Sequence, residues 1–239
     1  MLERMDEFFA RRLAGYDAHM LESIEGAERF YPFTARQLPV WPGCRVLDLG
    51  CGTGLELEAY FRVNPRAAVT GIDMSEAMLG RLRAKLPSFD LNLVCGSYFD
   101  VPLGEERFDA AVSVESLHHF TAEQKLGLYR RLFAALKPGC SFILTDYFAE
   151  SDEHERRYFA ELAALRAREG ITDGAFYHYD TPLTAEHEAE VLRAAGFADV
   201  TVLKRWGATC TVRAAKAAKQ HMAGDHKVAG GGEGSRPCP

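Results

Sequence analysis

Hydrophobic residues along this chain follow two different spacings. Short, nearly continuous apolar runs predict buried strands, whereas longer segments with apolar residues three and four positions apart predict helices. The predicted strands cover residues 45–49, 68–72, 91–95, 109–114, 141–146, 199–204 and 208–214. Because these runs alternate with helical segments, the pattern predicts parallel strands joined by right-handed crossover helices, and therefore an α/β fold.

The ends of two predicted helices and one predicted turn are marked by specific residues. One helix begins after Ser75 and stops before Pro87. Another begins at Thr121, where Gln124 completes a capping box, and it ends before Pro138-Gly139. The last two strands are separated only by Trp206-Gly207, which predicts a hairpin and an antiparallel strand at the C-terminal edge of the sheet.

The pattern also divides the chain into segments. Residues 1–40 contain an apolar stripe from Phe8 to Ile24 that is broken near Gly15, and they are predicted to form a helical lid. Residues 41–214 form the predicted main domain, with an insertion at about 150–184 that would cap a substrate site. Residues 215–239 are rich in glycine and lack an apolar period, so we expect a disordered tail.

Composition and charge narrow the functional classes. The 239 residues are 47% hydrophobic and carry a formal net charge of −6, which argues against a large nucleic-acid-binding surface. The six cysteines contain no C-x-x-C pair, as expected for reduced cytoplasmic thiols. No run of 18 apolar residues occurs, so the sequence predicts neither a membrane span nor a membrane partner. It says nothing about oligomeric state.

A glycine-rich turn follows the first predicted strand, in the stretch VLDLGCGTG at residues 46–54. Glycine has no Cβ and tolerates positive φ, so such a turn exposes backbone N–H groups to a small polar ligand at a helix N-terminus. A dinucleotide fingerprint would need a third glycine at position 55, where the chain has leucine. That motif is therefore absent.

The pattern Asp48-x-Gly50-x-Gly52-x-Gly54 resembles the first motif of the class I S-adenosylmethionine (SAM)-dependent methyltransferases. Further blocks similar to that family follow in the family's order, at residues 94–99, 108–115 and 136–146. The resemblance implies a Rossmann-like, mostly parallel seven-stranded sheet with helices on both faces. It also implies SAM as cofactor and S-adenosylhomocysteine (SAH) as product.

The same resemblance implies a set of cofactor-binding residues. Asp73 ends the second strand, where the family places an acidic residue that binds the ribose hydroxyls, and Met74 would lie against the adenine. Ser97 departs from the aspartate that many members use near the adenine amino group. Glu115 is expected near the amino group of SAM. The complete predicted set is Tyr16, Asp48, Gly50, Cys51, Gly52, Gly54, Asp73, Met74, Ser97, Tyr98 and Glu115.

Two adjacent histidines, His118 and His119, follow the fourth predicted strand. Methyl transfer to an O–H or N–H group requires loss of a proton, and histidine suits that task near neutral pH. Either histidine is a candidate catalytic base; the alternative is a structural role beneath the loop. The chain shows no cluster with metal-ligand spacing, so no catalytic metal is expected.

Acceptor binding is predicted in the insertion and at the end of the fifth strand. The segment 176–182 concentrates aromatic and titratable side chains, and Tyr147, Tyr177, His178 and Tyr179 are the candidate contacts. The predicted activity is methyl transfer from SAM to an O, N or C atom of a small molecule, without a metal. The alternatives are an RNA-modifying enzyme, including one that makes a modified SAM for tRNA, and a noncatalytic SAM-binding regulator.

Overall fold

A computed structural model describes residues 1–219. Its centre is a seven-stranded sheet, which confirms the predicted α/β fold class. The predicted disorder of the tail and its Cys238 falls almost wholly outside the described residues. The strands are β1 (Arg45–Leu49), β2 (Ala68–Asp73), β3 (Asp90–Cys95), β4 (Phe108–Val114), β5 (Leu136–Tyr147), β6 (Asp199–Trp206) and β7 (Thr209–Ala215).

The strand order is β3-β2-β1-β4-β5-β7-β6. The first five strands pair in parallel, and β7 runs antiparallel to both β5 and β6. The predicted hairpin places β7 between β5 and β6, so the antiparallel strand lies one position inside the edge that β6 forms. The reversal of strand order beside β1 puts the switch point, where such sheets bind ligands, at the carboxyl ends of β1 and β4.

Eight α-helices occur in the described residues. Three of them precede the sheet, with a 3₁₀ turn at Leu13–Gly15 that interrupts the predicted N-terminal stripe. The helices are α1 (Met5–Arg12), α2 (Tyr16–Ser23), α3 (Ala27–Ala35), α4 (Leu55–Val63), α5 (Glu76–Lys85), α6 (Ala122–Ala135), α7 (Asp152–Glu169) and α8 (Ala185–Ala194). None of the helices among residues 1–219 combines the length and apolarity that crossing a bilayer would require.

Hydrophobic cores cover both faces of the sheet, because successive side chains of a strand point to opposite faces. Val46 packs with residues of α3, α4 and α5, whereas its neighbour Leu47 packs with residues of α6 and α8. Such two-sided burial explains why the central strands are continuous apolar runs rather than alternating ones. Most polar residues of the candidate site therefore lie in the segments that follow the strands.

Candidate functional site

The glycine turn after β1 is held in place by the end of β2. The N–H groups of Gly50 and Cys51 donate to the Ile72 carbonyl at 2.8 and 3.2 Å. Gly50, Gly52 and Gly54 all adopt positive φ, and Gly54 caps the N-terminus of α4. The turn therefore presents backbone directly to the space above the sheet, as its glycine spacing predicts.

Gly50 has no room for a side chain. A Cβ there would lie 2.1 Å from the Oγ of Ser116, and the residue has a φ of +74°. We expect Gly50→Ala to lower the free energy of unfolding by about 1–2 kcal/mol for the backbone alone, with the overlap adding to it. Gly127→Ala is the control, since a Cβ there meets nothing within 4 Å in mid-helix, and it should stabilise slightly. Urea denaturation of both variants measures the difference, and similar shifts would contradict the assignment.

Asp73 lies at the carboxyl end of β2, where its carboxylate braces two backbones. One oxygen accepts a hydrogen bond from Gly52 N at 2.9 Å, and the other accepts one from Ser75 N at 2.8 Å. Burial raises the pKa of Asp73 above its usual value despite these two donors. The carboxylate thus links the glycine turn to the start of α5 at the edge of the candidate site.

Asp48 and Glu56 form a buried carboxyl pair behind the glycine turn. Neither oxygen of Asp48 accepts a hydrogen bond from a donor among residues 1–219. Burial, followed by the adjacent Glu56 carboxyl, raises the pKa of Asp48 well above its usual range, and burial raises that of Glu56 to about 7. Two unpaired buried carboxylates cannot both be ionised at low cost, so the pair retains a proton at neutral pH.

Cys51, inside the same turn, is buried against Gly71, where an added Cβ would lie 2.8 Å from its Sγ. Burial, followed by the nearby Asp48 carboxyl, raises the pKa of this thiol well above its usual value. A protonated, inaccessible thiol is a poor nucleophile. Its contribution to the turn is packing.

The predicted adenine contacts diverge in the structure. Met74 and Tyr98 line a small cavity together with Gly50, Asp73 and Ser116. Ser97 lines none of the four main cavities; its Oγ instead accepts a hydrogen bond from Phe99 N at 3.2 Å. The structure therefore assigns Ser97 to the turn after β3, where its short hydroxyl satisfies a nearby N–H.

Helix α1 covers the glycine turn. Met5 and Phe9 reach over Gly50 and Asp73, and they divide the space above the turn into two cavities of about 40 Å³ each. Tyr16, a predicted cofactor contact at the start of α2, lines one of these cavities. Cavities of that size hold only a few water molecules, so a ligand as large as a nucleoside requires α1 to move.

A cavity of about 670 Å³ adjoins the space above the glycine turn. Phe9, Tyr16, Glu115 and His119 line both spaces, so the two adjoin and share a wall. We call the larger one the large cavity. Its wall consists of Phe8, Phe9, Arg11, Arg12, Ala14, Gly15, Tyr16, His19, Met20, Ile24, Glu115, His118, His119, Tyr147, His178, Asp180 and Thr209.

Glu115 stands at the junction of these spaces. It has a φ of +48°, which is unusual for a residue with a side chain, and its Oε1 accepts a hydrogen bond from Thr209 at 3.0 Å. Burial, together with the Asp146 carboxylate, raises the pKa of Glu115 to about 7. A strained, desolvated carboxyl group at such a junction is typical of a ligand-binding role.

His118 is held between two carboxylates. Its Nδ1 lies 2.5 Å from Asp146 Oδ1, and its Nε2 lies 3.5 Å from Asp180 Oδ1. Burial alone would lower its pKa, but the charge and hydrogen bond of Asp146, with those of Asp180, raise the pKa well above the usual value. His118 is therefore a cation at neutral pH, and a protonated imidazole cannot accept a proton.

His119 has the opposite environment. Its Nδ1 lies 3.2 Å from the Tyr179 carbonyl, which can only accept a hydrogen bond, so Nδ1 carries the proton. Burial and the neighbouring His118 cation lower the pKa of His119 below its usual value. The neutral ring therefore keeps a lone pair on Nε2, beside the junction of the two spaces. Two adjacent histidines with pKa values moved in opposite directions can divide electrostatic and proton-accepting tasks.

Of the four predicted acceptor contacts, Tyr147 and His178 line the large cavity, whereas Tyr177 and Tyr179 do not. The reason is the extended backbone of this segment, which pairs with the N-terminus: His178 N donates to Glu3 O at 2.9 Å. Alternate side chains then face opposite ways. Tyr177 accordingly binds Asp173 and Tyr179 binds Glu161, both through their hydroxyls, on the outer side.

Asp146, Asp180, Phe8 and Phe9 are site residues that were not among the predicted contacts. Asp146 ends β5 and is 2% exposed, and Asp180 stands in the predicted aromatic segment. In the sequence, Asp146 was marked by its place at the end of a predicted strand, and Asp180 by its place near His178. Their partners in space, however, are separated from them by 28 and about 60 residues.

The described residues also bring together two groups of side chains with metal-ligand chemistry, namely His118, His119 and Asp180, and Glu115, His118 and Asp146. Within each group the ligand atoms lie within 4.8 Å of one another. In the first group the His119 Nδ1 near Asp180 is the protonated nitrogen, because it also faces the Tyr179 carbonyl. A protonated nitrogen has no lone pair for a metal ion.

This chain is similar to known proteins in sequence and in fold. Residues 46–139 match a family model described as a methyltransferase domain. An uncharacterized methyltransferase from Synechocystis sp. is 33% identical over 130 residues, which cover 54% of this chain and 59% of that protein. The carboxy-S-adenosyl-L-methionine synthase of Wolinella succinogenes is 30% identical over 233 residues, covering 86% of this chain and 91% of that protein. The chain spans about half the length of several other curated relatives it matches.

Among solved structures, human N-acetylserotonin methyltransferase in complex with SAM aligns with a TM-score of 0.57 at 21% identity. The alignment covers 79% of this chain and 51% of that one. Similarity at this level establishes the fold. It leaves the reaction to be argued from the site.

Proposed function

The chain belongs to the class I SAM-dependent methyltransferases, and from this membership we propose that it transfers the methyl group of SAM to a small molecule bound in the large cavity. The observation that carries the proposal is that the space above the glycine turn and that cavity adjoin and share a wall. Phe9, Tyr16, Glu115 and His119 line both spaces. A donor above the turn and an acceptor in the cavity would therefore meet beside Glu115 and His119.

The residues around the glycine turn fit SAM. Gly50 and Gly52 expose backbone where a Cβ on Gly50 would collide with Ser116, and Asp73 supplies a carboxylate at the end of β2. We propose that Asp73 binds the ribose hydroxyls, that Met74 and Tyr98 face the adenine, and that Glu115 faces the amino group. Tyr16 and Asp48 complete the proposed site, with the buried Asp48 carboxyl lying behind the turn.

When bound, SAM supplies an electrophilic methyl group on a positively charged sulfur. The chain's own residues then have two tasks. Helix α1 closes over the site and excludes water, which strengthens each electrostatic interaction inside it. His119 accepts the acceptor's proton at Nε2, while the Tyr179 carbonyl fixes its tautomer. His118, paired with Asp146, holds the turn that carries His119.

We propose that this chemistry needs no metal ion, because both ring nitrogens of His118, the histidine common to the two groups, face carboxylates, at 2.5 Å from Asp146 and 3.5 Å from Asp180, and a doubly protonated ring has no lone pair for a metal. We also propose a cytoplasmic location. It is supported by the scattered cysteine spacing, which contains no C-x-x-C pair. Among residues 1–219, Cys44, Cys51, Cys95 and Cys210 are free thiols and Cys140 is not. The formal net charge of −6 supports a small-molecule acceptor over a nucleic acid.

Asp73→Ala is expected to weaken SAM binding by about 2–4 kcal/mol, or roughly 30- to 900-fold in Kd, because two hydrogen bonds to a charged group are lost. Isothermal titration calorimetry measures the change. Asp90→Ala is the matched control. Asp90 is exposed at the first position of β3, away from the carboxyl ends of the strands where the proposed site lies, so this variant should leave the Kd of SAM unchanged. An unaltered Kd in the Asp73 variant would remove Asp73 from the proposed site.

The reaction itself is tested by incubating the protein with methyl-labelled SAM and an extract of its source cells, followed by separation of small molecules, RNA and protein. Label in a small molecule other than SAM or a modified SAM supports the proposal. Label in RNA or protein would overturn the proposed acceptor class. SAM binding without any label in a product would favour a noncatalytic role. The Asp73→Ala variant provides the background.

A second candidate is the conversion of SAM itself into carboxy-SAM, the product named for the W. succinogenes relative. The alignment over 86% of this chain favours it. The nucleoside product distinguishes the two reactions: methyl transfer leaves SAH, whereas the second reaction leaves a nucleoside heavier than SAM. Mass spectrometry of the reaction mixture measures the mass of this nucleoside product.

A further inference from the structure

Three carboxylates surround His118 at one end of the large cavity. Asp146 lies 2.5 Å and Asp180 lies 3.5 Å from its two ring nitrogens. A Glu115 oxygen lies within 4.8 Å of both His118 and Asp146. One imidazolium cannot neutralise both Asp146 and Asp180, and Glu115, with a pKa of about 7, adds a partial charge, so this end of the cavity carries excess negative charge. Low-dielectric walls concentrate such a field.

The other cations on the cavity wall already have partners. Arg11 forms ion pairs of 3.1 Å with Glu3 and with Glu7. Arg12 pairs with Glu3 at 3.1 Å and lies 3.6 Å over the ring of Phe8. Neither arginine is therefore available to bind an anionic ligand without losing an existing pair. Within residues 1–219, the polar end of this cavity suits a positively charged guest.

The three carboxylates differ in whether a second cation can bind to them. Asp146 is 2% exposed and is neutralised by His118 at the shorter distance. Glu115 faces the proposed position of the amino group of SAM. Asp180 remains: its side chain is 45% exposed, lines the large cavity, and approaches the two histidines only at 3.5 and 3.2 Å. It is the carboxylate that a second cation can reach.

The rest of the wall is apolar and aromatic. Phe8 and Phe9 meet edge to face with centroids 5.3 Å apart, and Phe9 meets Tyr16 in the same manner at 6.1 Å. Met20 and Ile24 extend this surface along α2. Aromatic faces attract cations, and the apolar surface binds a hydrocarbon body. The wall thus matches a guest with a charged end and an apolar body.

We infer that the methyl acceptor is a small organic amine with an apolar body, bound as its ammonium ion against Asp180. This inference rests on the proposed methyltransferase function and specifies the acceptor atom as nitrogen. The same charges disfavour an acidic acceptor, since both arginines that line this cavity among residues 1–219 are already paired. Asp180 is a substrate-binding residue here, while His119 remains the base.

The reaction balances with the groups present. His119 Nε2 takes one proton from the ammonium ion and leaves a neutral amine. The nitrogen lone pair forms the bond to the methyl carbon as the methyl–sulfur bond breaks, and that bond's electron pair stays on sulfur. The products are a methylated ammonium ion and SAH, and the proton on His119 passes to solvent.

The test uses the full chain with trideuteromethyl-SAM and a small-molecule extract of its source cells. Mass spectrometry finds each product by its deuterium label, and capillary electrophoresis at pH 7 reads the product's charge. We expect the labelled product to be a cation. A neutral or anionic labelled product other than a modified SAM would overturn the amine inference but keep the methyltransferase function. Absence of any labelled product would overturn the proposed function itself.

Two variants, assayed with the amine that this experiment identifies, then test which residue binds its ammonium group. Asp180→Asn should raise its KM about 10- to 100-fold and leave the Kd of SAM unchanged, because a charged hydrogen bond is lost on the acceptor side only. Asp152→Asn is the control, since its side chain is 63% exposed on α7 and lines none of the main cavities, so its KM should stay constant. An unchanged KM in Asp180→Asn would overturn the assignment of Asp180.

Discussion

Replacing His119 by asparagine is expected to lower kcat by about 10²- to 10⁴-fold, the usual contribution of a general base. The asparagine amide can still donate to the Tyr179 carbonyl, which His119 Nδ1 contacts at 3.2 Å, but it cannot accept a proton at the position of Nε2. The loss should therefore fall on kcat. The Kd of SAM, measured by calorimetry, should stay near its original value.

The pH dependence of kcat identifies which histidine is the base. The pKa of His119 is lowered, so its basic form persists at neutral pH and kcat should fall only below about pH 6.5, the usual pKa of histidine. The pKa of His118 is raised, so a reaction that used His118 would accelerate as the pH rises above that value. Measurement with both substrates saturating separates these profiles. A rising profile above neutrality would assign the base to His118.

His118→Asn serves as the companion variant. Its amide retains a donor for Asp146, which His118 contacts at 2.5 Å, but the positive charge among three carboxylates disappears. We expect reduced stability, as repulsion among those carboxylates increases. The acid limb of the pH profile should persist, since His119 still titrates. Loss of that limb in His118→Asn alone would contradict the assigned roles.

The second large effect is expected at Lys125→Met, which should lower the free energy of unfolding by about 3–5 kcal/mol. Lys125 is 1% exposed and lies 2.6 Å from Glu188, which is also 1% exposed and binds the Tyr129 hydroxyl. Removing the cation leaves Glu188 buried without a charge partner between α6 and α8. Urea denaturation followed by circular dichroism measures the change.

Two further variants test the origin of this effect. Lys125→Met combined with Glu188→Gln removes both charges and keeps an acceptor for Tyr129, so most of the lost stability should return. Arg83→Met breaks an ion pair whose side chains are 48% and 66% exposed, and it should cost less than about 1 kcal/mol. If the double variant were as unstable as Lys125→Met, lost packing rather than the unpaired charge would explain the result.

The sequence predicted the strands closely, because their signals are local. Strands buried on both faces are nearly continuous apolar runs, as β1 and β4 are, whereas the largely exposed edge strands β3 and β6 mix apolar and polar residues. Residue signals at helix ends were equally local: Thr121 and Gln124 form the predicted capping box. The position of β7 between β5 and β6 has no local signal, because it depends on which strand edges remain free for pairing.

The candidate cofactor half of the site followed from sequence more readily than the acceptor half. Its proposed residues stand directly after β1, β2 and β4, and the carboxyl ends of parallel strands meet at one edge of the sheet. The acceptor side combines α1, α2 and the segment 176–181, which are far apart in the chain. There the prediction grouped Tyr177, His178 and Tyr179, and only His178 lines the large cavity.

By itself, the sequence determined the fold class, the glycine turn and the family, because each rests on residues close together in the chain. Only the tertiary structure decided how the two histidines differ. Asp146 from β5 and Asp180 from the segment after α7 raise the pKa of His118, whereas burial and the His118 cation lower the pKa of His119. Charge and burial depend on distances in space, which residue order does not specify.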